Sequence, residues 1–283
     1  MKLKHSLLIL LSCLFLTACG KMEAKPHYSN LSEEETQAQI AAILEECGIA
    51  AERRKAFFSH VEEFNALLQE EEKTQGWEPL GEAKYDSDDL QLRWEEAHPD
   101  FLGCNCRITA FTLFGDFLEV AESAPILEDA ILFDQSALEE DPLSFPGERE
   151  KFSQFYSVIP TDGGKDGATH LENIQKVWAE RGISFVEDPK VRLISLFFHD
   201  MTDESAPKLF IGHTGLLFPR EDGSLLFLEK LSFQQPYQVI KFHSREELSD
   251  YLMRKYDLDT SETIARPLIL ENDKLMESYR VLP

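Results

Sequence analysis

Hydrophobic residues recur at two different periods along this chain, one typical of helices and the other of strands. Up to about residue 182, apolar positions return every three or four residues, which is the spacing of a helix with one buried face. A short helical segment around Trp94 and four longer helices are expected there, at 32–47, 51–69, 105–120 and 171–180. Ser32 and Glu35 have the spacing of a capping box at the start of the first helix.

From residue 191 onward the pattern changes to the short, β-branched and aromatic apolar runs of strands. It predicts five strands, at 191–198, 208–218, 224–231, 237–242 and 265–270. Ser244 and Glu247 form a second capping box, which opens a helix that ends near residue 256. Helices followed by antiparallel strands predict an α+β fold, with N-terminal helices packed on a C-terminal antiparallel sheet.

The beginning of the chain has the pattern of an exported lipoprotein. A basic head is followed by an apolar run at 7–16, which is too short to span a bilayer, and then by small residues. Residues 16–19, with the sequence LTAC, resemble the lipobox of bacterial lipoproteins. That resemblance implies a signal peptide at 1–18, a diacylglycerol on the Cys19 thiol, and attachment to the outer face of the cytoplasmic membrane.

In this interpretation residues 19–29 are a lipidated tether and residues 30–283 form a single domain. The chain has 52 acidic and 28 basic residues, a formal net charge of −24. This charge repels nucleic acids and anionic lipid headgroups, so we expect no nucleic-acid partner, and membrane contact through the lipid on Cys19. A cationic substrate would be attracted. The sequence shows no cofactor motif, and it identifies no protein partner.

Three cysteines, Cys47, Cys104 and Cys106, remain once the signal peptide and the lipidated cysteine are set aside. An odd number predicts at least one free thiol. A disulfide between Cys47 and one of the other two stays open, whereas a bond between Cys104 and Cys106 would be strained. Their spacing does not give a four-ligand zinc pattern, so no metal site is expected.

Cys106 is the candidate nucleophile, because it comes at the predicted start of an apolar helix. Unbonded N–H groups and the macrodipole at a helix N-terminus favour the thiolate, which is the nucleophilic form of cysteine. The alternative is a small buried apolar residue. The preceding Asn105 is interpreted as the N-cap of the helix, with a place at an oxyanion site as the alternative.

His213 is the candidate general base, and Glu229 is its candidate partner. A hairpin centred at Glu221 places His213 directly opposite Glu229 on the same face of the sheet. A carboxylate there would hold the imidazole in one orientation. Gly212 and Gly215 are expected to keep the strand surface open to a substrate. The alternatives are a core histidine and a solvent-facing glutamate.

A cysteine at a helix start, then a histidine on a strand and an orienting residue on the next strand, is an order that resembles the papain-like superfamily. The NlpC/P60-type peptidases of bacterial cell walls are the nearest comparison, over 105–111 and 211–242. The resemblance implies a papain-like cysteine peptidase in which Cys106, His213 and Glu229 are catalytic. The chain departs from the pattern in the bulky arginine after the cysteine and in the use of glutamate as the third residue.

Several short segments resemble a second family. They are YSNL at 28–31, VEEFN at 61–65, NCRITAF at 105–111, GHTG at 212–215, EK at 229–230 and PY at 236–237. The chain is similar in these segments to an uncharacterised family of lipoproteins from Gram-positive bacteria, the domain of unknown function 4300. That resemblance implies a place in the cell envelope and no particular activity.

Together these observations favour a membrane-anchored lipoprotein that acts as a papain-like cysteine hydrolase on amide bonds in the cell envelope. Cell-wall peptide is the expected substrate class. The alternative is a non-catalytic binding or assembly lipoprotein of the same compartment.

Overall fold

The computed structural model describes residues 25–127, 130–186 and 190–283. The predicted signal peptide and Cys19 lie outside the described residues. Across these ranges, no helix is both long and apolar enough to cross a membrane. The helices are α1 (Glu34–Glu46), α2 (Ala51–Asn65), α3 (Ser87–Ala97), α4 (Cys106–Phe114), α5 (Leu132–Glu140), α6 (Arg149–Phe155), α7 (Gly167–Glu180) and α8 (Arg245–Tyr256). The strands are β1 (His27–Ser29), β2 (Glu78–Pro79), β3 (Leu118–Glu119), β4 (Ile159–Pro160), β5 (Ser184–Phe185), β6 (Arg192–Asp200), β7 (Lys208–Pro219), β8 (Leu225–Lys230), β9 (Tyr237–Phe242), β10 (Leu268–Glu271) and β11 (Lys274–Leu275).

A nine-stranded antiparallel sheet organises the described residues. Its strand order is β11-β10-β6-β7-β8-β9-β1-β2, and β4 pairs with one end of β7. A separate two-stranded ribbon joins β3 to β5. The predicted α+β class, with helices packed on a largely C-terminal antiparallel sheet, is therefore confirmed.

The strands of the second half match their predicted positions closely. Strands β6 to β8 agree within two residues at each end, and β9 agrees at both ends. The helix α8 begins at its predicted cap, because the Ser244 hydroxyl accepts a hydrogen bond from the Glu247 N–H at 3.2 Å. Here, local sequence signals and tertiary structure agree.

The helices of the first half differ more from the prediction. The capping box at Ser32 is wrong, because its hydroxyl donates to the Thr74 carbonyl at 3.2 Å while α1 has Glu33 as its N-cap. The helix α4 ends at Phe114 instead of near residue 120, and a 3₁₀ turn follows it. The buried Arg53 guanidinium donates to the Thr112 carbonyl near that end at 3.1 Å. At the start of α1 and near the end of α4, the observed side-chain contacts are thus with residues distant in sequence and not the local ones that the sequence predicted.

The first described strand lies in the segment that the sequence assigned to the tether. Residues 27–29 form β1, which pairs with β9 on one side and with β2 on the other. Its three residues belong to the sheet and so to the folded unit. These residues are therefore part of the fold, although the sequence assigned them to the segment before the domain.

The sheet is covered on both faces, and alternate residues of its central strands contribute to different cores. Leu216 and Leu228 pack in the larger core, which includes buried residues of α1, α2 and α4. Leu217 and Phe227 point to the other face and pack with Leu248 of α8. Such alternation follows from the two-residue period of a strand. His213 and Glu229 share the α8 face, whereas α4 lies on the opposite face.

Strand pairing along one edge of β7 is interrupted, and side chains from the two faces of the sheet can meet at this interruption. That edge pairs with β4 at 208–209 and with β8 at 215–219, so 210–214 between them has no strand partner there within the described sheet. The first turn of α4 lies at this gap, where the Arg107 guanidinium donates to the Ile211 carbonyl at 3.0 Å. A helix on one face therefore reaches side chains that point to the other.

The two glycines beside His213 make room for aromatic rings. A Cβ atom built on Gly212 would lie 2.2 Å from the Phe198 ring, and one on Gly215 would lie 2.5 Å from the Phe227 ring. The expectation that these glycines leave the strand surface open to a substrate is therefore wrong. Phenylalanine side chains from the neighbouring strands occupy that space.

Gly215→Ala is expected to destabilise the fold by about 1–3 kcal/mol, because the added methyl overpacks a filled core. The new Cβ would also lie 2.7 Å from the Leu228 carbonyl oxygen, which is backbone and cannot move aside cheaply. Urea unfolding followed by circular dichroism measures the change. Gly147→Ala is the control, since no atom lies within 4 Å of its built Cβ. Equal stabilities for the two variants would contradict this packing.

Candidate active site

Cys106 is the first residue of α4, and Asn105 holds the start of that helix in place. The Asn105 Oδ1 accepts a hydrogen bond from the Ile108 N–H at 3.0 Å, and its Nδ2 donates to Asp134 at 2.9 Å. The N-cap interpretation of Asn105 is confirmed. The Oδ1 thus caps the helix, and one hydrogen of the Nδ2 group is donated to Asp134.

His213 and Glu229 form a buried hydrogen-bonded pair. The His213 Nε2 lies 2.6 Å from the Glu229 Oε2. The predicted direct opposition of the two residues is wrong, because Gly215 pairs with Glu229. The register differs from the prediction by two residues, so His213 keeps the same face and reaches the carboxylate diagonally.

The Cys106 thiol lies close enough to the His213 imidazole for each to shift the ionisation of the other. The helix that carries Cys106 packs on one face of the sheet, whereas the His213 side chain points to the other face. The His213 Nδ1 is buried and has no hydrogen-bond partner among the described residues. It is the ring nitrogen left for the thiol, since Nε2 is bound to Glu229. The structure thus brings together the three residues that the sequence singled out, in the order thiol, imidazole, carboxylate.

The three groups shift one another's ionisation. Burial alone raises the pKa of the Cys106 thiol, but its interaction with the nearby His213 outweighs burial and leaves the pKa below its ordinary value. Burial lowers the pKa of His213, whereas its interactions with Cys106 and Glu229 raise it, to about 9 in balance. The pKa of Glu229 is lowered, because hydrogen bonds from His213, Tyr251 and Gln238 overcome its burial. These opposite shifts favour transfer of the thiol proton from Cys106 to His213.

Three further residues of the site were missed by sequence reasoning. The Tyr251 hydroxyl and the Gln238 amide both donate to the Glu229 Oε1, at 2.5 and 2.7 Å. The Tyr256 ring stacks on the His213 ring, with 4.4 Å between their centroids. Both tyrosines belong to α8, and no local pattern indicates which strand residues that helix covers. Glu229 therefore has both carboxylate oxygens hydrogen-bonded.

A buried ion pair between Arg107 and Asp134 holds the first turn of α4 in place. Arg107 donates to both oxygens of Asp134, at 2.8 and 2.5 Å, and Asp134 is fully buried. The bulky residue after the cysteine, which departs from the papain-like pattern, thus has a structural role. It ties the first turn of α4 to α5 and to β7.

The site is closed to solvent in this structure. Cys106 is 6% exposed, and His213 and Glu229 are each 1% exposed. A cavity of about 560 Å³ lies on the side of Glu229, with its hydrogen-bond partners Gln238 and Tyr251 in the cavity wall. These two side chains separate the cavity from Glu229, while Tyr256 covers the imidazole. A substrate can reach the thiol only if some of these side chains move.

The structure shows whether Cys104 and Cys106 form the disulfide that the sequence left open. Cys104 and Cys106 are both buried free thiols, so neither forms the disulfide with Cys47 that the sequence left open. The Cys47 thiol donates to the Lys190 carbonyl at 3.4 Å. Cys104 lies instead beside His60 and Asp141, the one group of possible metal ligands found among the described residues.

Comparison with known proteins identifies the family of the chain. The model of the family described as Domain of unknown function (DUF4300) matches residues 27–276, and the chain belongs to that family. No curated protein and no solved structure matches it. The family description names no activity, so a function has to be argued from the site itself.

Asp134→Ala is expected to cost about 3–5 kcal/mol of stability, because it leaves the nearly buried Arg107 without its counter-charge. Chemical denaturation of the purified variant measures the loss. Glu180→Ala removes the exposed partner of Lys176, and is expected to change stability by less than about 0.5 kcal/mol. If Asp134→Ala were as stable as Glu180→Ala, the ion pair would not anchor α4.

Proposed function

We propose that this DUF4300 protein is a lipid-anchored cysteine hydrolase of the bacterial cell envelope, which cleaves amide bonds through Cys106. One observation carries the proposal: the thiol at the start of α4 is within reach of an imidazole whose Nε2 is held by a carboxylate at 2.6 Å. Nucleophile, base and orienting group in contact are the recurring geometry of nucleophilic catalysis. They follow the papain-like chain order of cysteine, histidine and orienting residue.

The chemistry assigns one role to each group. The Cys106 sulfur attacks the amide carbonyl carbon, its proton passes to His213, and His213 returns that proton to the leaving amine as the C–N bond breaks. Water, deprotonated by His213, then attacks the thioester and releases the acid and the thiol. Glu229 does not touch the substrate; it holds the imidazole in position. The Ile108 N–H is already bonded to the Asn105 cap, so the N–H groups of Cys106 and Arg107, which have no intrahelical acceptor, are the first-turn donors proposed for the oxyanion.

Access to the thiol depends on α8 in this proposal. Tyr256 stacks on His213, and its hydroxyl is buried without a hydrogen-bond partner among the described residues. Displacing this ring breaks no described hydrogen bond of the hydroxyl. In this proposal, movement of the Tyr256 ring uncovers His213 and opens a path toward Cys106.

Cell-wall peptide is the proposed substrate class. The formal net charge of −24 favours substrates that carry amines, as the stem peptides of a cell wall do. The residues that line the neighbouring cavity carry charges of both signs, because Glu82, Glu247 and Asp250 are joined there by Lys25, Arg254 and Lys255. The preference for an amine therefore rests on the net charge of the whole chain, and the aromatic rings in the cavity wall would pack on an apolar side chain of the peptide.

The second candidate function is a non-catalytic binding or assembly lipoprotein. It is favoured by the burial of Cys106, His213 and Glu229, because a completely enclosed triad also fits a retained hydrolase-like core. Reactivity of the thiol and turnover of a peptide distinguish the two functions.

The first test is alkylation of the folded protein with iodoacetamide, with the labelled cysteine located by mass spectrometry. Tyr256→Ala is expected to raise the alkylation rate of Cys106 several-fold, whereas Tyr256→Phe, which keeps the stacked ring, leaves it unchanged. His213→Ala is expected to lower the rate, although it makes space beside the thiol. A rate that rises in His213→Ala would mean that access alone, without activation by the imidazole, controls this thiol. Cys47 in the same samples is the internal control.

The second test is hydrolysis of cell-wall stem peptides by the mature protein, with new amine termini detected by liquid chromatography and mass spectrometry. Cys106→Ala is expected to abolish turnover, and His213→Ala to lower it by about 10²–10⁴-fold, the usual contribution of a general base. Cys47→Ala is the matched control and is expected to retain activity. Peptide binding without turnover, equal in wild type and Cys106→Ala, would support the binding function instead.

The lipid anchor is tested separately. Cys19→Ser removes the thiol that takes the lipid, so the protein is expected to leave the membrane fraction and to lose incorporation of a labelled fatty acid. A diacylglycerol on this cysteine would supply the two acyl chains that stable anchoring needs. Cys47→Ser is expected to remain in the membrane fraction. An unlipidated Cys19→Ser protein that still fractionates with membranes would contradict the anchor.

A further inference from the structure

A second group of possible metal ligands includes Cys104, which lies two residues before the candidate nucleophile. The proposed hydrolysis does not use this group. Cys104 precedes α4, His60 lies on α2 and Asp141 follows α5. All three are buried, at 4%, 6% and 2% exposure. Three elements far apart in sequence thus bring a thiol, an imidazole and a carboxylate into one enclosed space, the metal-ligand cluster.

The distances within the metal-ligand cluster are close to those around a single ion. The His60 Nε2 lies 3.2 Å from the Asp141 Oδ2, and the Cys104 Sγ lies 3.9 Å from the same oxygen. The three ligand atoms all lie within 4.8 Å of one another. Tetrahedral zinc with ordinary bond lengths holds nitrogen, oxygen and sulfur ligands about 3.3–3.6 Å apart. Small side-chain rotations therefore suffice to close the set around an ion.

The second nitrogen of His60 and the second oxygen of Asp141 each face another group of the protein, as is typical of residues that bind metals. The His60 Nδ1 faces the Glu63 carboxylate at 3.6 Å, and metal-bound histidines commonly place their second nitrogen against a carboxylate. The Asp141 Oδ1 accepts from the Leu143 and Ser144 N–H groups, at 2.8 and 3.3 Å. Nε2 and Oδ2 are thereby left facing the Cys104 thiol. This outer arrangement is independent evidence for a ligand, since the thiol alone does not require it.

We propose that His60, Cys104 and Asp141 bind one Zn²⁺ ion. Thiolate and imidazole ligands favour zinc over the hard cations that carboxylates alone select. The charges also match, because one thiolate and one carboxylate neutralise the divalent ion while His60 binds as the neutral imidazole. The Ser144 hydroxyl, 3.4 Å from the His60 Nε2, or a water molecule completes the fourth position.

The proposed ion has a structural consequence for the neighbouring thiol site. It links α2 and the segment after α5 to the residue that lies two positions before Cys106. The first turn of α4 would then be fixed by zinc on one side and by the Arg107–Asp134 pair on the other. The zinc proposal concerns binding only, so it stands or falls separately from hydrolysis.

Metal analysis of the purified full-length protein tests the proposal. After dialysis against Zn²⁺ and removal of excess metal, wild type is expected to retain about one zinc per chain, measured by mass spectrometry of the elements. Cys104→Ala and Asp141→Asn are expected to lose it, while Cys106→Ala keeps it. Glu63→Gln is expected to weaken zinc affinity by about 10–100-fold, the usual effect of removing an outer carboxylate. Circular dichroism confirms that each variant is folded.

Cobalt substitution supplies a direct view of the ligands. Co²⁺-loaded wild type and Cys106→Ala are expected to show thiolate-to-cobalt charge-transfer absorption, which Cys104→Ala lacks. A wild-type protein that binds neither Zn²⁺ nor Co²⁺ would overturn the proposal and leave the cluster as a hydrogen-bonded group. Metal binding that is unchanged in Cys104→Ala and Asp141→Asn would overturn it equally. Loss of hydrolysis with intact zinc binding would count only against the proposed enzyme.

Discussion

The interruption along one edge of β7 is the constraint on which the candidate site depends. A continuous strand beside 210–214 would separate the helical layer from the α8 face, and Cys106 could not meet His213. Backbone groups exposed by such a gap have to be satisfied. Arg107 does this for Ile211 and is itself neutralised by Asp134. The arginine that departs from the papain-like pattern is therefore the residue that stabilises the gap.

Polar groups inside this fold are held in separate, largely satisfied networks. Glu229 receives hydrogen bonds on both oxygens, and Lys230, the next residue of β8, points to the other face. There its ammonium lies 3.7 Å from the centre of the Phe64 ring and donates to the Phe233 carbonyl at 3.2 Å. Burial lowers the pKa of Lys230 to about 7, although the nearby thiols oppose that change. Glu229 and Lys230, which are adjacent in β8, thus place an acidic group on one face of the sheet and a basic group on the other.

Two thiols with histidine and carboxylate neighbours lie on either side of Asn105. Cys106 has His213 and Glu229, and Cys104 has His60 and Asp141. The two groups differ in what they can do, because only Cys106 lies at a helix N-terminus and only the Cys104 group converges on one point. Asn105 separates them and caps the helix. A short segment of chain therefore serves both a candidate catalytic site and a candidate metal site.

Local sequence determined the parts of this protein that depend on the period of one element. The strands β6 to β9, the helix start at Cys106 and the shared face of His213 and Glu229 follow from alternation, capping and the parity of a hairpin. A register error of two residues left that face unchanged, because side chains alternate with a period of two. These features could be predicted without knowledge of any distant contact.

Tertiary structure alone decided what surrounds those residues. The stacking of Tyr256 on His213, the gap beside β7 and the meeting of Cys104 with His60 and Asp141 join elements tens of residues or more apart. The end of α4 and the use of 27–29 as a strand were likewise set by distant partners. A periodic pattern records which face of an element is buried, but it does not record which other element buries it. That choice depends on how side chains of the whole chain pack together.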